Sequence, residues 1–261
     1  MIRIDLPDME KISVSIITFN EERNIARCLD SVLEIADEIV VVDSFSTDRT
    51  REICEGYNLR FISHPFDGYI EQKNIALSLC SHPYVLSLDA DEALSDTLKK
   101  AILTEKQNGL HGAYSFNRLT NYCGHWVKHC GWYPDVKVRL FGRESGVWGG
   151  LNPHDKFEFH HPVKLKHLSG DLLHYSYYTL EEHHKQVEYF TSIGAKSYFE
   201  KGKSDGLLKM YSAPVAKFIR DYFINLGFLD GKAGWLICTI SAGATFKKYR
   251  KLRMLNKGRS I

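Results

Sequence analysis

Acidic residues all but run out near the end of this chain. From Leu207 onward there are eleven Lys/Arg against two Asp/Glu, a balance of +9, whereas the preceding residues stand at −7 and the whole chain at +2. Such a split points to an anionic partner for the tail, either a membrane surface or nucleic acid. A long hydrophobic run is missing too. The charge-free stretch "AGWLICTISAGATF" between Lys232 and Lys247 has fourteen residues, short of the ~20 needed to span a bilayer. Two readings remain for it: an amphipathic element on an anionic leaflet, or a core-packed helix with a solvated basic end. Met1 to Glu10 carries acids and Pro7 but no apolar core, so no secretory signal is expected there. The six cysteines, at 28, 54, 80, 123, 130 and 238, are scattered, and their even count leaves disulfides open. Cys28, Cys54 and Cys80 fall among apolar neighbours in predicted helices, as buried free thiols do, which favours a reducing cytoplasm. "YCGHWVKHC" offers Cys123, His125, His129 and Cys130 at a spacing unlike structural zinc sites, and the pairs His160–His161 and His183–His184 read as surface residues. Internal repeats and low-complexity linkers are absent.

What is present is an alternation of strand and helix signals. "ISVSIITF" (Ile12 to Phe19), "EIVVVDS" (Glu38 to Ser44), "RFISHP" and "YVLSLDA" read as strands. Helical patterns lie between them: "NIARCLDSVLEI", "TDRTREICEGY" and "QKNIALSLC". The second strand is apolar almost throughout, which argues for a parallel sheet buried on both faces. Ser95 and Asp96 then open a further helix with a capping residue and an early acid. From Gly112 the pattern changes to short aromatic and β-branched runs, "GAYSFNRLTNY", "VKVRLF", "KFEFH" and "VKLKHL", expected as antiparallel strands with long loops. Thr179 to Glu200 and Leu207 to Leu229 are expected helices. The division is therefore 12–111 for an α/β nucleotide-binding half, 112–178 for an acceptor and catalytic region of the same domain, and 179–261 for a basic helical extension. The fold class is α/β, a Rossmann-like sheet with helices on both faces.

Ligands of open α/β sheets sit beyond the carboxyl ends of the strands. The first strand ends in Thr18, Phe19, Asn20 and Glu21, the second in Asp43, Ser44, Ser46 and Asp48, and the fourth in Asp89, Ala90 and Asp91. A lone D-x-D is usually a solvated loop. Three acidic or amide-rich ends on one sheet edge instead suggest a site for a cation and a phosphate-bearing ligand. A nucleotidyltransferase would need a glycine-rich phosphate loop after its first strand, and "TFNEERNI" has no glycine. A haloacid-dehalogenase phosphatase would carry its D-x-D on the first strand, and here the motif closes the fourth. A nucleic-acid binder would account for the tail but not for these acids, so no nucleic acid is expected. A non-catalytic sugar-nucleotide-binding protein stays open.

Taken in order, "SVSIITFNEERNIARCLDSV", "DEIVVVDSFSTDRT", "QKNIAL" and "LSLDADE" resemble the family 2 glycosyltransferases of GT-A fold. "GWYPDVKVRLF", "HDKF", "LLHYSYYTLEEHHKQ" and "GFLDGKAG" look like the bacterial lipopolysaccharide-core β-glucosyltransferase branch, and the resemblance spans about Ile12 to Lys248. It implies an inverting hexosyltransferase that takes a nucleoside-diphosphate sugar, a UDP-sugar first, and a glycolipid or saccharide acceptor. It would work on the cytoplasmic face of the inner membrane, with the basic C-terminus on the anionic surface. Under this resemblance Thr18, Phe19, Asn20 and Glu21 bound the base and ribose, and Asp43 accepts the uracil N–H, as an acceptor-only carboxylate can. Asp48 is either a helix cap or a ligand contact, and Lys73 either approaches the diphosphate or is an ordinary solvated helix residue. Asp89 contacts ribose and metal-bound water, Asp91 ligates Mg2+ or Mn2+ with His174 as a late additional ligand, and Glu92 supports the loop. The acids repel one another until dication and diphosphate arrive. Asp155 in "LNPHDKF" is the expected base, where the family more often has Glu, with His154 as the fallback. On the acceptor side stand Trp132, Tyr133, Asp135 and Arg139. The two aromatics either stack on a sugar or pack, Asp135 is either a weaker candidate for the base or orders its loop, and Arg139 either grips an anion or is a surface strand residue.

Overall fold

The computed structural model describes residues 10–151, 154–203 and 206–261, with the side chains of all of these except 151 and 154. By its contacts the chain forms two compact units, one comprising residues up to Arg118 together with Asp135–His174, the other Leu119–Pro134 together with Tyr175–Ile261.

The first unit begins as the apolar runs dictate. Strands β1 (Ile12–Thr18), β2 (Glu38–Asp43), β3 (Arg60–Ser63) and β4 (Tyr84–Asp89) are linked by helices α1 (Ile25–Val32), α2 (Thr50–Cys54) and α3 (Tyr69–Ser78). β1 pairs in parallel with both β2 and β4, and β2 with β3. Side chains alternate across a strand, and the core divides accordingly. Ile12, Val14, Ile16, Val41 and Leu86 pack on one face beneath α1, while Ile17, Val40, Val42 and Val85 pack on the other with Ala76 and Leu77 of α3. Full burial of each such side chain stabilises by roughly 1.5–3 kcal/mol, and both faces of β2 contribute.

A three-residue strand, β5 (Glu92–Leu94), follows the D-x-D directly, and α4 (Asp96–Asn108) starts where expected, with Ser95 Oγ accepting the Leu98 N–H at 3.3 Å. The sheet then continues with β6 (Ala113–Tyr122), β8 (Asp135–Gly142) and β11 (Leu165–Tyr177), in the order β3-β2-β1-β4-β8-β6-β11-β5. β7 (His125–Trp126) is a short partner of β6 in the second unit. β8 is antiparallel to β4, and β11 is antiparallel to β5 with His174 opposite Glu92. β9 (Gly146–Leu151) and β10 (His154–Phe159) form a separate antiparallel ribbon with Asp155 opposite Gly150. Its Trp148 and Phe157 stack into the second core face with Phe141.

In the second unit α5 (Leu180–Glu200) opens with a capping box between Thr179 and Glu182. The expected helix from Leu207 to Leu229 is interrupted. α6 (Leu207–Ile219) gives way to a π-helical turn at Arg220–Ile224 and a 3-10 turn at Gly227–Asp230 before α7 (Gly231–Asn256). Gly234 explains the tight entry to α7, since a Cβ there would lie 1.8 Å from the Gly227 carbonyl oxygen. The charge-free run 233–246 lies wholly within α7. Its Ile237 and Cys238 are buried with Tyr122, Val127 and Cys130 while Trp235 is half exposed, so one face of this stretch packs into a core and the other does not. Among the described residues no helix is long and apolar enough to cross a membrane. His183, expected at the surface, is buried, with Nδ1 2.8 Å from the Tyr122 hydroxyl. His125 and His129 turn to Asp230, at 3.3 and 3.1 Å.

Candidate active site

The loops after β1 and β2 are laced together. The Asn20 N–H donates to Ser46 Oγ at 2.8 Å, and Asn20 Oδ1 accepts the Thr47 N–H at 2.8 Å. Asn20 does this at φ 55°, a left-handed conformation that Asn tolerates. The Glu21 N–H donates to Thr50 Oγ1. Asp48 accepts the Glu22 N–H at 3.0 Å and both the N–H and hydroxyl of Thr50, so its carboxylate serves as a latch between the loops. Asp43 is buried and accepts from the Ser46 N–H and hydroxyl at 2.9 and 2.5 Å. Phe19 and Phe45 stand more than half exposed at the two strand ends. Thr18 Oγ1 and Gln72 Oε1 are buried without a hydrogen-bond partner among the described residues, which is how groups waiting for a ligand look.

Helix α3 supplies three consecutive polar residues to the interior. Gln72 Nε2 donates to Ser44 Oγ at 3.0 Å. Asn74 donates to the Trp148 carbonyl at 2.8 Å and accepts its N–H at 2.9 Å, tying α3 to β9. Between them Lys73, with only 3% of its side chain exposed, places Nζ 3.0 Å from Asp89 Oδ1, 2.7 Å from Asp155 Oδ2 and 4.7 Å from the Trp148 ring centroid. It is neither a solvated helix residue nor free to reach out. It joins the first D-x-D acid to the candidate base.

Arg139 is likewise not a surface residue. It is buried, and its Nη2 contacts Asp89 Oδ2 at 2.9 Å and Glu92 Oε1 at 2.8 Å. Glu92 is buried as well, accepts the Asp89 N–H at 3.0 Å and lies 3.5 Å from Arg118. Burial opposes ionisation of Asp89, but Lys73, Arg139 and Arg118 outweigh it and hold this carboxyl well below the usual carboxylate range. The expectation that the clustered acids repel until a ligand arrives is therefore corrected for Asp89 and Glu92, to which the fold supplies counter-ions. Asp135 is held by Arg118 at 2.8 Å and Lys137 at 3.0 Å, which orders the start of β8.

Lys73, Asp89, Arg139, Trp148 and Asp155 open onto one cavity of about 380 Å3, rimmed by Arg118, Lys137 and Lys156. The His154 side chain lies outside the described residues. Trp132 and Tyr133 belong to the second unit, where Trp132 packs against Tyr122 and Tyr177 at 5.9 and 6.0 Å between ring centroids.

Asp91 is set apart from the Lys73–Arg139 cluster. Its Oδ2 lies 3.1 Å from His174 Nε2, which β11 brings into place through the His174–Glu92 register. Glu21 is close by: burial first, then the Asp91 charge, push its carboxyl up to about 7, against the opposing hydrogen bond from Asn24. No three His, Cys, Asp or Glu side chains among the described residues are grouped to hold an ion alone. Mg2+ needs no such cage, since one or two carboxylates with water and phosphate oxygens suffice. An Asp oxygen and an imidazole nitrogen 3.1 Å apart fit two neighbouring positions of such a shell, whereas Asp89 is committed to Lys73 and Arg139.

Trp148, Arg118, Gln72 and Asn74 were not marked by their sequence pattern as site residues. The polar triplet Gln72–Lys73–Asn74, in a helix that must cover an apolar sheet, was the available signal.

A parallel sheet with acids at its strand ends, extended by antiparallel strands that carry a basic-rimmed cavity, is the GT-A architecture of glycosyltransferases. The chain belongs to glycosyl transferase family 2, whose model matches residues 13–156. It is 32% identical to an uncharacterized glycosyltransferase of Rickettsia typhi over 97% of this chain and 90% of that protein. It is 27% identical to the lipopolysaccharide core biosynthesis glycosyltransferase LpsC of Rhizobium meliloti, over 91% of this chain and 93% of that one. Among solved structures, the mannosyltransferase PcManGT of Pyrobaculum calidifontis, in complex with GDP-Man and Mn2+, matches with a TM-score of 0.54 at 17% identity, covering 95% of this chain and 88% of that one.

Proposed function

We propose that this glycosyltransferase moves a hexose, glucose first among candidates, from a UDP-sugar to a hydroxyl of a glycolipid or saccharide acceptor, with inversion, in lipopolysaccharide-core-like assembly at the cytoplasmic face of the bacterial inner membrane. The observation that carries the reading is the shared ammonium of Lys73, which holds Asp155 and Asp89 at opposite ends of one contact in one cavity. The acceptor hydroxyl oxygen attacks the anomeric carbon, the bond from that carbon to the diphosphate oxygen breaks, and Asp155 takes the hydroxyl proton. Asp43 accepts from the nucleobase, while Thr18 and Gln72 contribute their unpaired oxygens on the nucleotide side. Mg2+ or Mn2+ held by Asp91 and His174 would supply charge neutralisation for the departing diphosphate. Arg139 keeps Asp89 ionised and fixed beneath it. LpsC, a core-biosynthesis enzyme by name, supports the acceptor class.

The test is a panel of UDP-, GDP- and dTDP-sugars assayed for transfer and slow hydrolysis, with Asp155→Asn beside the wild type. Asp155→Asn is expected to lower transfer by about 100-fold or more while calorimetry shows donor binding intact. Near-normal turnover in that variant removes Asp155 from the role.

A further inference from the structure

An amphipathic helix normally turns its polar face to water; α6 does the opposite. Its inner side packs through buried Met210 and partly buried Ala213 and Phe218. Its outer side presents Leu208, Tyr211, Val215 and Ile219 at spacings of three, four and four, and the stripe continues across the π-helical turn with Phe223 and Ile224. Leu208 is 84% and Ile224 71% exposed. The stripe has no route inward, because the space behind it is filled: the Phe218 ring lies 5.2 Å from Tyr222 and 5.6 Å from Trp235.

The exposed charges of residues 207–261 have one sign. Lys209, Arg220 and Lys232 are exposed. The two acids of residues 207–261 are both buried and engaged, Asp221 with Lys217 and Arg220, and Asp230 with His125 and His129. Contiguous apolar surface of this kind marks an interaction site. A second copy of the chain laid on the stripe would bring cations against cations, whereas anionic lipid headgroups would neutralise them and the acyl boundary would accept the Leu, Ile and Phe side chains. At 13 residues, or about 20 Å at 1.5 Å per residue, α6 is too short to span a bilayer and suits one lying in the interface.

We propose that the stripe from Leu208 to Ile224 docks on the surface of an anionic lipid bilayer. The contact is made by α6 and the turn after it, while Ile237 and Cys238 of α7 stay in the core. The inference does not depend on the transfer reaction or its donor.

Full-length protein is spun with vesicles of phosphatidylcholine alone and of phosphatidylcholine with phosphatidylglycerol, at low and high salt. Wild type is expected to pellet with the anionic vesicles and to be released by salt. Leu208→Glu/Ile224→Glu and, separately, Lys209→Glu/Lys232→Glu are each expected to weaken that partition by about tenfold or more, with circular dichroism and melting temperature unchanged. Wild type remaining in the supernatant with anionic vesicles overturns the proposal, as does pelleting of either double variant as strong as that of wild type. So does a wild-type dimer in light scattering that Leu208→Glu/Ile224→Glu dissociates without any vesicle binding, since the stripe would then belong to a second copy.

Discussion

Arg139 holds two carboxylates with one guanidinium, and its replacement exposes what the cluster costs to keep. Arg139→Leu would leave buried Glu92 with Arg118 alone at 3.5 Å and part-buried Asp89 with only the Lys73 ammonium that Asp155 shares. Removing one partner from a buried ion pair typically destabilises by about 3–5 kcal/mol, so Arg139→Leu is expected to lower the denaturation midpoint by that order in urea titration. Arg139→Lys would recover only part, because a single ammonium cannot reproduce the planar fork. The sequence could not assign this residue. In "VKVRLF" the period-2 alternation puts Lys137 and Arg139 on one face of a strand, and a polar face ordinarily meets water. Only the antiparallel pairing of β8 with β4 shows that this face meets the end of the D-x-D strand. Lys73 was visible as a candidate but its partner was not, since Asp155 lies 82 residues away.

The elements with strong apolar content, β1, β2, β4 and α4, were legible to within a residue or two, because burial on one or both faces leaves a pattern that no loop shares. β9 was not, since "GVWGGL" has too many glycines to read as a strand and is held by β10 and by Asn74. β5 escaped notice because three residues show no period; it exists through β11. The π-helical turn after α6 left no mark on composition. His183 ties α5 to β6 through Tyr122, and this link is pH-sensitive. Burial, with His184 as a lesser cause, pushes its pKa down from 6.5 to about 4. The unfolded chain therefore binds a proton between these values that the folded one refuses. The stabilisation is complete above about 6.5 and is lost as pH falls toward 4, by up to about 3 kcal/mol. Chemical denaturation at pH 7 and pH 5 should show wild type losing stability, with His183→Gln, which keeps a partner for Tyr122 but cannot titrate, showing a smaller loss.

At the scale of the whole molecule, charge balance directed attention to the basic C-terminal end, whereas the exposed apolar stripe lies on α6. Composition locates charge along the chain, whereas exposure depends on which helix faces are already covered. The strand-end rule pointed to the loops after β1 and β2, which the structure laces together through Asn20, Ser46 and Thr47, and the family model covers that stretch and runs on past Asp155. His174 lies beyond it. Ligand-linked stability tests whether Asp91 and His174 work as a pair. UDP with Mn2+, at about 100 times its dissociation constant, should stabilise the protein by about 2.7 kcal/mol. In a thermal-shift assay Asp91→Ala is expected to abolish the Mn2+-dependent part of the shift and leave any shift from UDP alone.

The antiparallel union of β11 with β5 has a consequence for biosynthesis. A ribosome emits the aspartate of the cleft long before the histidine that faces it, and the two meet only when the returning strand closes on the three-residue edge. A nascent chain therefore lacks the Asp91–His174 pair until the last strand of the sheet has left the ribosome and folded back.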